Sequence, residues 1–271
     1  MKRVAPLLLA VLFFSSFPSC DILTGPDETN PIESLPALSI AWTPKTPIVC
    51  FGTSLTYGFI WNKYFGPTNS KDIVSKPAIP PFTASSTLKT LDNNTWSYPY
   101  QLGLTLRIPV VNEGFVGART DQALTVMRDS VISKNPCLVL LEYPANDMLQ
   151  SVPVALAEQR LGMIIDSLQD GGATVVLISY LYPEMIRTIP ANHYLAGQEA
   201  LGFAYLDMMK NVAREHGIQF VEYAMFGIYW NEDLMSDALH PNEKGYKIMQ
   251  TNISRALLNT FSQNSMLKDV R

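Results

Sequence analysis

The segment Pro47-Ile48-Val49-Cys50-Phe51-Gly52 is a continuous apolar run that ends in glycine and leads directly into Thr53-Ser54. Four further β-rich runs follow it along the chain: Arg107–Asn112, Cys137–Tyr143, Thr174–Tyr180 and Ile218–Tyr223. Runs that are continuous rather than alternating are typical of strands buried on both faces of a parallel sheet. The sequence therefore predicts a central parallel sheet whose first strand is Pro47–Gly52.

Segments with helical spacing separate these runs and follow the last one. They are Trp96–Leu106, Thr120–Ser133, Val154–Gln169, Leu195–His216 and Glu243–Phe261. Strands and helices therefore alternate, and this order predicts a doubly wound α/β sandwich with right-handed crossovers. In such a fold the functional site lies at the carboxyl ends of the strands.

The composition fits one globular domain. Of the 271 residues, 47% are hydrophobic and 16% are charged, so the chain can bury a core of ordinary size. The formal net charge is −4 and no basic run occurs, so a nucleic-acid partner is not expected. Cys50 and Cys137 fall in apolar runs, where free cysteines pack as small hydrophobic side chains; a disulfide between them is the alternative.

The N-terminus has the pattern of a secretory signal peptide. Lys2 and Arg3 precede an apolar stretch from Val4 to Phe17, which is shorter than the roughly 20 residues of a membrane span. Cys20 then resembles the lipidated cysteine of bacterial lipoproteins. We therefore expect residues 1–20 to be a lipoprotein signal peptide, and Cys20 to anchor the exported protein to a bacterial membrane in the cell envelope. A plain signal peptide and an uncleaved anchor are the alternatives.

Two segments lack a periodic pattern. Residues 21–44 are rich in Pro, Thr, Ser and acidic residues, and they predict a tether between the membrane and a domain at residues 45–271. Residues 61–94 contain several prolines and many Ser and Thr, and they interrupt the domain soon after its first strand. A loop of this length is either a flap that shapes the substrate site or a surface insertion.

Ser54 lies in a tight, glycine-flanked turn at the predicted carboxyl end of the first strand. A serine nucleophile needs a base, and His240 stands in Asp237-Ala238-Leu239-His240-Pro241, where Pro241 holds it on a loop ahead of the last helix. Asp237 can accept the second ring N–H and so fix the tautomer that takes a proton. Taken separately, a helix-capping serine and an Asp-led turn are the simpler interpretations.

The chain has two other histidines. His216 ends a predicted helix, where a cation favours the helix dipole and no catalytic role is needed. His193 lies in the loop Pro190-Ala191-Asn192-His193, which we expect to be solvated, with contact to a substrate as the alternative. His240 is therefore the predicted base.

Acyl transfer also needs hydrogen-bond donors for the developing oxyanion. Gly117 lies in a glycine-rich turn after the second strand, where backbone N–H groups can approach a ligand closely. Asn146 follows the third strand and offers a side-chain amide. A turn glycine and a helix-capping Asn are the ordinary alternatives. Because these residues fall at the same sheet edge as Ser54, the elements together predict a hydrolytic site.

Four blocks of the chain resemble those of the GDSL, or SGNH, hydrolases, and they occur in the family's order. Gly52-Thr53-Ser54-Leu55 is similar to the nucleophile block, Gly117 to the glycine of the second block and Asn146-Asp147 to the third block. Asp237-Ala238-Leu239-His240-Pro241-Asn242, continued by Gly245-Tyr246, is similar to the last block and is the most specific match.

The resemblance implies a flavodoxin-like, three-layer α/β/α sandwich with about five parallel strands. It also implies a monomer without a metal ion or organic cofactor, and acyl-enzyme chemistry with Ser54 as nucleophile, His240 as base and Asp237 as the residue that orients the base. The N–H groups of Ser54 and Gly117 and the amide of Asn146 would form the oxyanion hole.

Two positions depart from the family's pattern. Thr53 stands where the family usually has Asp, which alters the hydrogen bonding beside the nucleophile. Pro144 stands where the third block usually has Gly, which stiffens the approach to Asn146. Both departures leave the implied catalytic groups in place.

Three functions are compatible with these residues. The first is a serine esterase acting on short-chain acyl esters or lysophospholipids. The second is a carbohydrate O-deacetylase, which a groove lined by exposed aromatic side chains would favour. The third is a surface-binding lipoprotein that keeps the fold without catalysis, and the full set of candidate catalytic residues speaks against it.

Overall fold

Five strands form the sheet, and each is parallel to its neighbours. In the computed structural model, which describes residues 46–65 and 94–263, the strands are β1 (Ile48–Gly52), β2 (Val110–Gly114), β3 (Leu138–Glu142), β4 (Thr174–Ile178) and β5 (Gln219–Val221). Their order across the sheet is β2-β1-β3-β4-β5. The predicted parallel sheet and its flavodoxin-like strand order are therefore confirmed.

Helices connect and cover these strands. Over the described ranges they are α1 (Ser54–Tyr57), α2 (Trp61–Phe65), α3 (Tyr98–Leu106), α4 (Thr120–Ser130), α5 (Ala145–Leu149), α6 (Val154–Asp170), α7 (Pro183–Arg187), α8 (Glu199–Glu215) and α9 (Glu243–Gln263), with a 3-10 turn at Ile132–Lys134. Helices α3 and α9 pack together, and α4, α6 and α8 pack in a row. The crossover from β1 to β2 runs in one direction across the sheet, and the crossovers from β2 to β3, β4 and β5 run in the other. Because crossovers between parallel strands are right-handed, the two groups of helices cover opposite faces.

The carboxyl ends of the first three strands are level. Gly52 of β1 is in register with Gly114 of β2 on one side and with Glu142 of β3 on the other. The chain passes from β1 to β2 on one side of β1, and from β2 to β3 on the other side. The connections after β1 and β2 therefore diverge, and a crevice forms between them at this edge of the sheet. The loops that follow the three strands meet there.

Apolar packing holds the sheet between its helices. Every residue of β1 and β3 is buried, as the continuous apolar runs predict, whereas the edge strand β2 is half-buried over its first three residues. Burial of a side chain such as that of Leu140 stabilises the fold by about 1.5–3 kcal/mol relative to exposure. Cys50 and Cys137 are both buried with free thiols, so the alternative of a disulfide between them is wrong.

Three predicted boundaries are wrong by three residues or more. Helix α4 ends at Ser130 and not at Ser133, because Ile132–Lys134 form a separate 3-10 turn. Strand β2 begins at Val110 and not at Arg107, because Arg107 ends α3 in a left-handed conformation with φ 55°. Helix α8 begins at Glu199 and not at Leu195. Leu195 lies in a loop instead, where its side chain is buried and its N–H donates to Nδ1 of His193.

The predicted signal peptide with Cys20, the tether and most of the 61–94 insertion lie outside the described residues. Of the insertion, α2 is described at one end and Asn94 at the other. None of the helices within residues 46–65 and 94–263 combines the length and the apolar character that crossing a lipid bilayer requires.

Candidate active site

The end of β1 places Ser54 at the edge of the sheet. The strand ends at Gly52, and Ser54 is the first residue of α1. A Cβ atom at Gly52 would overlap the Thr56 hydroxyl and the Glu142 carboxylate, so glycine is required for the turn to close. Thr53 keeps an extended backbone before the helix begins. The Ser54 side chain therefore points into the crevice from a fixed turn.

Ser54, His240 and Asp237 form one hydrogen-bonded chain. The Ser54 hydroxyl donates to His240 Nε2 at 2.8 Å. The other ring nitrogen, Nδ1, donates to Asp237 Oδ2 at 2.7 Å and lies 3.0 Å from Oδ1. His240 is 3% exposed and Asp237 1%, and the Phe59 ring packs on the imidazole with centroids 4.8 Å apart. The carboxylate thereby selects the tautomer in which Nε2 can accept a proton from serine.

The loop that carries His240 is closed by its own hydrogen bonds. Met235 and Pro241 form an antiparallel bridge, and the N–H and hydroxyl of Ser236 both donate to the His240 carbonyl. Asp237 Oδ1 also accepts the N–H groups of Leu239 and His240, at 2.7 and 2.8 Å. One carboxylate therefore holds both the imidazole and the backbone that carries it.

Asn242 and Gly245 lead from this loop into α9. Asn242 Oδ1 accepts the N–H groups of Lys244 and Gly245 and so caps the helix. A Cβ atom at Gly245 would overlap the Leu234 carbonyl oxygen. The segment after His240 therefore needs a capping side chain at Asn242 and a residue without a Cβ atom at Gly245.

The predicted oxyanion donors lie at this edge of the sheet, at the start of α1, at the start of α5 and in the loop after β2. The Ser54 N–H opens α1, where a helix provides no acceptor. One N–H of the Asn146 amide donates to the Ala118 carbonyl at 2.9 Å, and the amide has a second hydrogen to offer. Gly117 precedes Ala118 in a left-handed conformation with φ 76°. The bond to Ala118 thus ties the loop of Gly117 to Asn146.

An apolar cleft begins at Ser54 and His240. The space between its walls and the open solvent at its mouth together amount to about 420 Å³. Its lining is dominated by Leu, Met and Tyr side chains and consists of Thr53, Ser54, Leu55, Ala145, Asn146, Met148, Leu149, Tyr180, Leu181, Met185, Leu195, Tyr229, Leu239 and His240. In the part of the chain that the structure describes, no group of three or more His, Cys, Asp and Glu side chains could hold a metal ion. The lining of the cleft beside Ser54 and His240 is mainly apolar.

The sequence profile of the GDSL-like Lipase/Acylhydrolase family matches residues 50–248 of the chain. This range includes the loops that carry Ser54, Asn146 and His240. The chain belongs to the GDSL-like lipase/acylhydrolase family. The resemblance of the four sequence blocks is therefore confirmed at the level of the family.

Other proteins resemble this GDSL-like chain in sequence or in fold. An arylesterase from Vibrio mimicus is 28% identical over 138 residues, which cover 49% of this chain and 62% of the arylesterase. The psychrotrophic esterase EstA from Pseudoalteromonas sp. is 17% identical with a TM-score of 0.59, over 81% of this chain and 100% of EstA. The acetylxylan esterase Axe2 from Geobacillus stearothermophilus is 16% identical with a TM-score of 0.56, over 78% of this chain and 94% of Axe2. The two structures show that the fold is shared.

The sequence prediction for this GDSL-like chain does not include a buried carboxylate, that of Glu142, which lies under the turn that carries Ser54. Glu142 accepts the Thr53 N–H at 2.9 Å, the Thr53 hydroxyl at 2.8 Å and the Thr56 hydroxyl at 3.1 Å. Burial raises the pKa of Glu142 to about 7. Thr53, which departs from the family's usual Asp, thus serves as a donor to Glu142. The sequence signal for this residue is a lone acid at the end of an apolar strand.

Pro144, the second departure, leaves Asn146 in the cleft. The Pro144 carbonyl accepts the N–H of Asp147 at the start of α5. Asp147 is also buried, and it accepts the N–H and the hydroxyl of Thr120 at 2.9 and 2.6 Å. Burial raises the pKa of Asp147. The loops after β2 and β3 are therefore joined both by this contact and by the contact of Asn146 with Ala118.

The two remaining histidines differ in their surroundings. His216 follows α8, and its Nδ1 lies 2.9 Å from the Asp166 carboxylate. The prediction that His193 is solvated is wrong. His193 is 4% exposed, because its ring packs against Trp230 and both ring nitrogens make hydrogen bonds within the protein.

Proposed function

We propose that this GDSL-like chain is a serine esterase that hydrolyses carboxylic esters through an acyl-enzyme on Ser54. The observation that carries the proposal is the hydrogen-bonded chain of Ser54, His240 and Asp237 at the mouth of an apolar cleft. A serine hydroxyl is a poor nucleophile at neutral pH unless a base takes its proton. Nε2 of His240, at 2.8 Å from Ser54 Oγ, is within reach for that transfer.

In the first half of the proposed reaction, Ser54 Oγ attacks the carbonyl carbon of the ester while His240 Nε2 takes the hydroxyl proton. The carbonyl oxygen becomes an oxyanion in the tetrahedral intermediate. The bond from carbon to the alcohol oxygen then breaks, and protonated His240 gives its proton to the leaving alcohol. Asp237 stabilises the imidazolium that exists between these two steps.

In the second half, water replaces the alcohol. His240 takes a proton from the water as its oxygen attacks the acyl-enzyme carbonyl, and a second tetrahedral intermediate forms. The bond to Ser54 Oγ breaks, His240 returns the proton to Ser54, and the carboxylic acid leaves. Each N–H aimed at the oxyanion contributes about 3 kcal/mol to such reactions, and the proposed donors are Ser54, Gly117 and Asn146.

The cleft supports an ester with an apolar acyl group as substrate. The tyrosines that line it, Tyr180 and Tyr229, are buried and do not form an exposed aromatic surface on which sugar rings could stack. Met148 and Met185 add flexible apolar side chains that can adapt to a chain of carbons. These features favour an acyl esterase over a carbohydrate O-deacetylase, although one structural relative is an acetylxylan esterase.

The proposal is tested with p-nitrophenyl esters from acetate to decanoate, using the purified chain. We expect turnover, with kcat/KM rising beyond acetate, and labelling of the protein by a fluorophosphonate probe. The Ser54→Ala variant should lose both activity and labelling. Ser133→Ala is the matched control, because Ser133 is an exposed serine outside the cleft whose hydroxyl donates to the Asp129 carbonyl near the end of α4.

Each outcome of this test has a defined meaning. An optimum at acetate that extends to acetylated xylan would favour the deacetylase over the acyl esterase. An inactive wild-type protein that the fluorophosphonate does not label would favour a binding role for the fold. Equal activity of Ser54→Ala and wild type would show that the nucleophile is another residue.

We further propose that the protein is exported and anchored in the cell envelope through lipidated Cys20. The support is the order of Lys2 and Arg3, the apolar stretch Val4–Phe17 and Cys20. In a bacterial host fed an alkyne-tagged fatty acid, the wild-type protein should carry the tag and sediment with membranes. The Cys20→Ala variant should lose the tag, and retention of the tag by that variant would contradict the proposal.

A further inference from the structure

His193 makes two hydrogen bonds of opposite kind through its ring. Nδ1 accepts the N–H of Leu195 at 3.2 Å, and Nε2 lies 3.1 Å from the carbonyl oxygen of Ala238. A carbonyl only accepts, so Nε2 is the nitrogen that carries the proton. The ring is therefore a neutral imidazole in one defined tautomer, and burial accordingly lowers the pKa of His193.

The two partners of His193 belong to different parts of the candidate site. Ala238 lies between Asp237 and His240, in the loop that carries the proposed base. Leu195 lines the apolar cleft. The imidazole thus connects a wall of the cleft to the backbone of the loop that carries His240.

Trp230 restrains His193 from a third side. Its ring meets the imidazole edge-on with centroids 4.8 Å apart, and its Nε1–H donates to the carbonyl of Met185, another residue of the cleft. Trp230 also has φ 66°, a left-handed conformation that is uncommon for a bulky side chain and is unfavourable without supporting contacts. The surrounding contacts must hold this residue in place, and one consequence is a fixed orientation of the His193 ring.

We propose that His193 is a positioning residue of the esterase, which sets the distance between the His240 loop and Ser54 by holding the Ala238 carbonyl. The inference rests on the proposed function. His193 does not line the cleft, so it acts through the loop and not on the substrate. The backbone contacts of Asp237 close the loop from within, whereas His193 attaches it to a neighbouring segment of the chain.

Two substitutions separate the bond to Ala238 from the bond to Leu195. In His193→Asn, the side-chain oxygen can still accept the Leu195 N–H, but the side chain is too short to reach Ala238. In His193→Gln, the amide N–H reaches about as far as Nε2 and can still donate to Ala238. A general loss of packing would affect both variants, whereas a positioning role predicts that they differ.

The experiment measures kcat and KM of wild type, His193→Asn and His193→Gln on one p-nitrophenyl ester, with active sites counted by fluorophosphonate labelling. We expect kcat of His193→Asn to fall about tenfold or more with KM within about twofold of wild type, because a small displacement of a catalytic group lowers the chemical rate. We expect kcat of His193→Gln to stay within about threefold of wild type. The midpoint of thermal unfolding is measured for all three proteins.

Three results would overturn the inference. One is a wild-type kcat in His193→Asn. Another is an equal loss of kcat in both variants that follows their thermal midpoints, which would indicate a purely structural role. The third is an increase of KM alone, which would place the effect on the wall of the cleft. An unlabelled and inactive wild-type protein would instead refute the proposed function itself, so the two failures are distinguishable.

Discussion

Within residues 46–65 and 94–263 the structure shows two pairs of histidine and aspartate, and in one of them the imidazole also bonds to a serine hydroxyl. In the pair at the cleft, Nδ1 of His240 is 2.7 Å from Asp237, and the two side chains are 3% and 1% exposed. In the pair between α6 and α8, Nδ1 of His216 is 2.9 Å from Asp166, and the two side chains are 21% and 62% exposed. The nitrogen–oxygen distances are nearly equal, so distance alone does not mark a catalytic pair.

The surroundings of the two carboxylates account for the difference. Asp237 is out of contact with water and also accepts two backbone N–H groups, so its position is fixed and its charge acts through a medium of low polarity. Asp166 is open to solvent, which weakens its attraction for the imidazole. Burial and a serine 2.8 Å from the free nitrogen therefore distinguish the pair with a proposed catalytic role.

The largest difference in kcat between the two pairs should appear when the imidazoles of His240 and His216 are removed in turn. His240→Ala is expected to lower kcat for p-nitrophenyl ester hydrolysis by at least about 10⁴-fold, because Ser54 then has no base. His216→Ala should stay within about twofold of wild type. Circular dichroism checks that both variants are folded. A comparable loss of kcat in the two variants would remove the distinction between the pairs.

The second-largest effect on kcat is expected from replacing the two carboxylates, Asp237 and Asp166, in turn. Asp237→Asn should lower kcat by about 10³- to 10⁴-fold, because an amide can donate to Nδ1 and so favour the wrong tautomer of His240. Asp166→Asn should leave kcat unchanged within about twofold. Steady-state kinetics across pH 6 to 9 provides the measurement. If Asp237→Asn retained more than a tenth of the wild-type kcat, His240 would have to be oriented by its other contacts.

Glu142 tests what burial does to a carboxylate without an imidazole partner. Its pKa is raised from 4.5 to about 7 in the folded protein, so the folded state holds this proton more tightly than the unfolded state. The contribution of Glu142 to the free energy of unfolding is therefore most favourable below about pH 4.5, and it is lost as pH rises towards 7. Glu142→Gln cannot ionise and should lack this loss.

Urea unfolding of wild type and Glu142→Gln at pH 5 and pH 7.5 measures the effect. We expect the free energy of unfolding of the variant, relative to wild type, to rise by on the order of 2–3 kcal/mol between the two pH values. Glu113→Gln is a control, because Glu113 is another buried glutamate but lies 3.3 Å from the Lys134 ammonium group. Parallel pH curves for wild type and Glu142→Gln would mean that Glu142 ionises as it does in the unfolded chain.

The sequence was sufficient for the fold because its signals are local. The apolar runs of β1 and β3 are continuous and fully buried, and the spacing of α6 predicts its bounds to within one residue. The start of β2 could not be predicted in this way. Arg107 has an ordinary strand-compatible sequence context, yet this exposed residue adopts a left-handed conformation that ends α3, where the N–H groups of Arg107 and Ile108 both donate to the Gly103 carbonyl.

The candidate site likewise combines contacts that can be predicted from nearby residues in the sequence with contacts that cannot. Asp237 and His240 are three residues apart, so a turn brings them together and their relation is visible in the sequence. Glu142 and Thr53 are 89 residues apart, and His193 and Ala238 are 45 residues apart. These contacts depend on how loops from different strands pack at one sheet edge, and no spacing rule encodes them. Burial of His193 is unpredictable for the same reason.

The smallest expected effect is on stability at the exposed pair. Asp166→Asn should change the free energy of unfolding by less than about 0.5 kcal/mol, because a polar contact that is open to water gains little beyond the hydration that it replaces. Raising the salt concentration from about 0.05 to 0.5 M should reduce even that difference, since the Debye length shortens to a few ångströms. Urea unfolding at both salt concentrations is the measurement. A loss of stability above about 1 kcal/mol that persists in high salt would contradict this prediction. It would show that Asp166 and His216 hold α6 and α8 together as firmly as a buried pair would. Solvent exposure would then no longer explain why the two pairs differ.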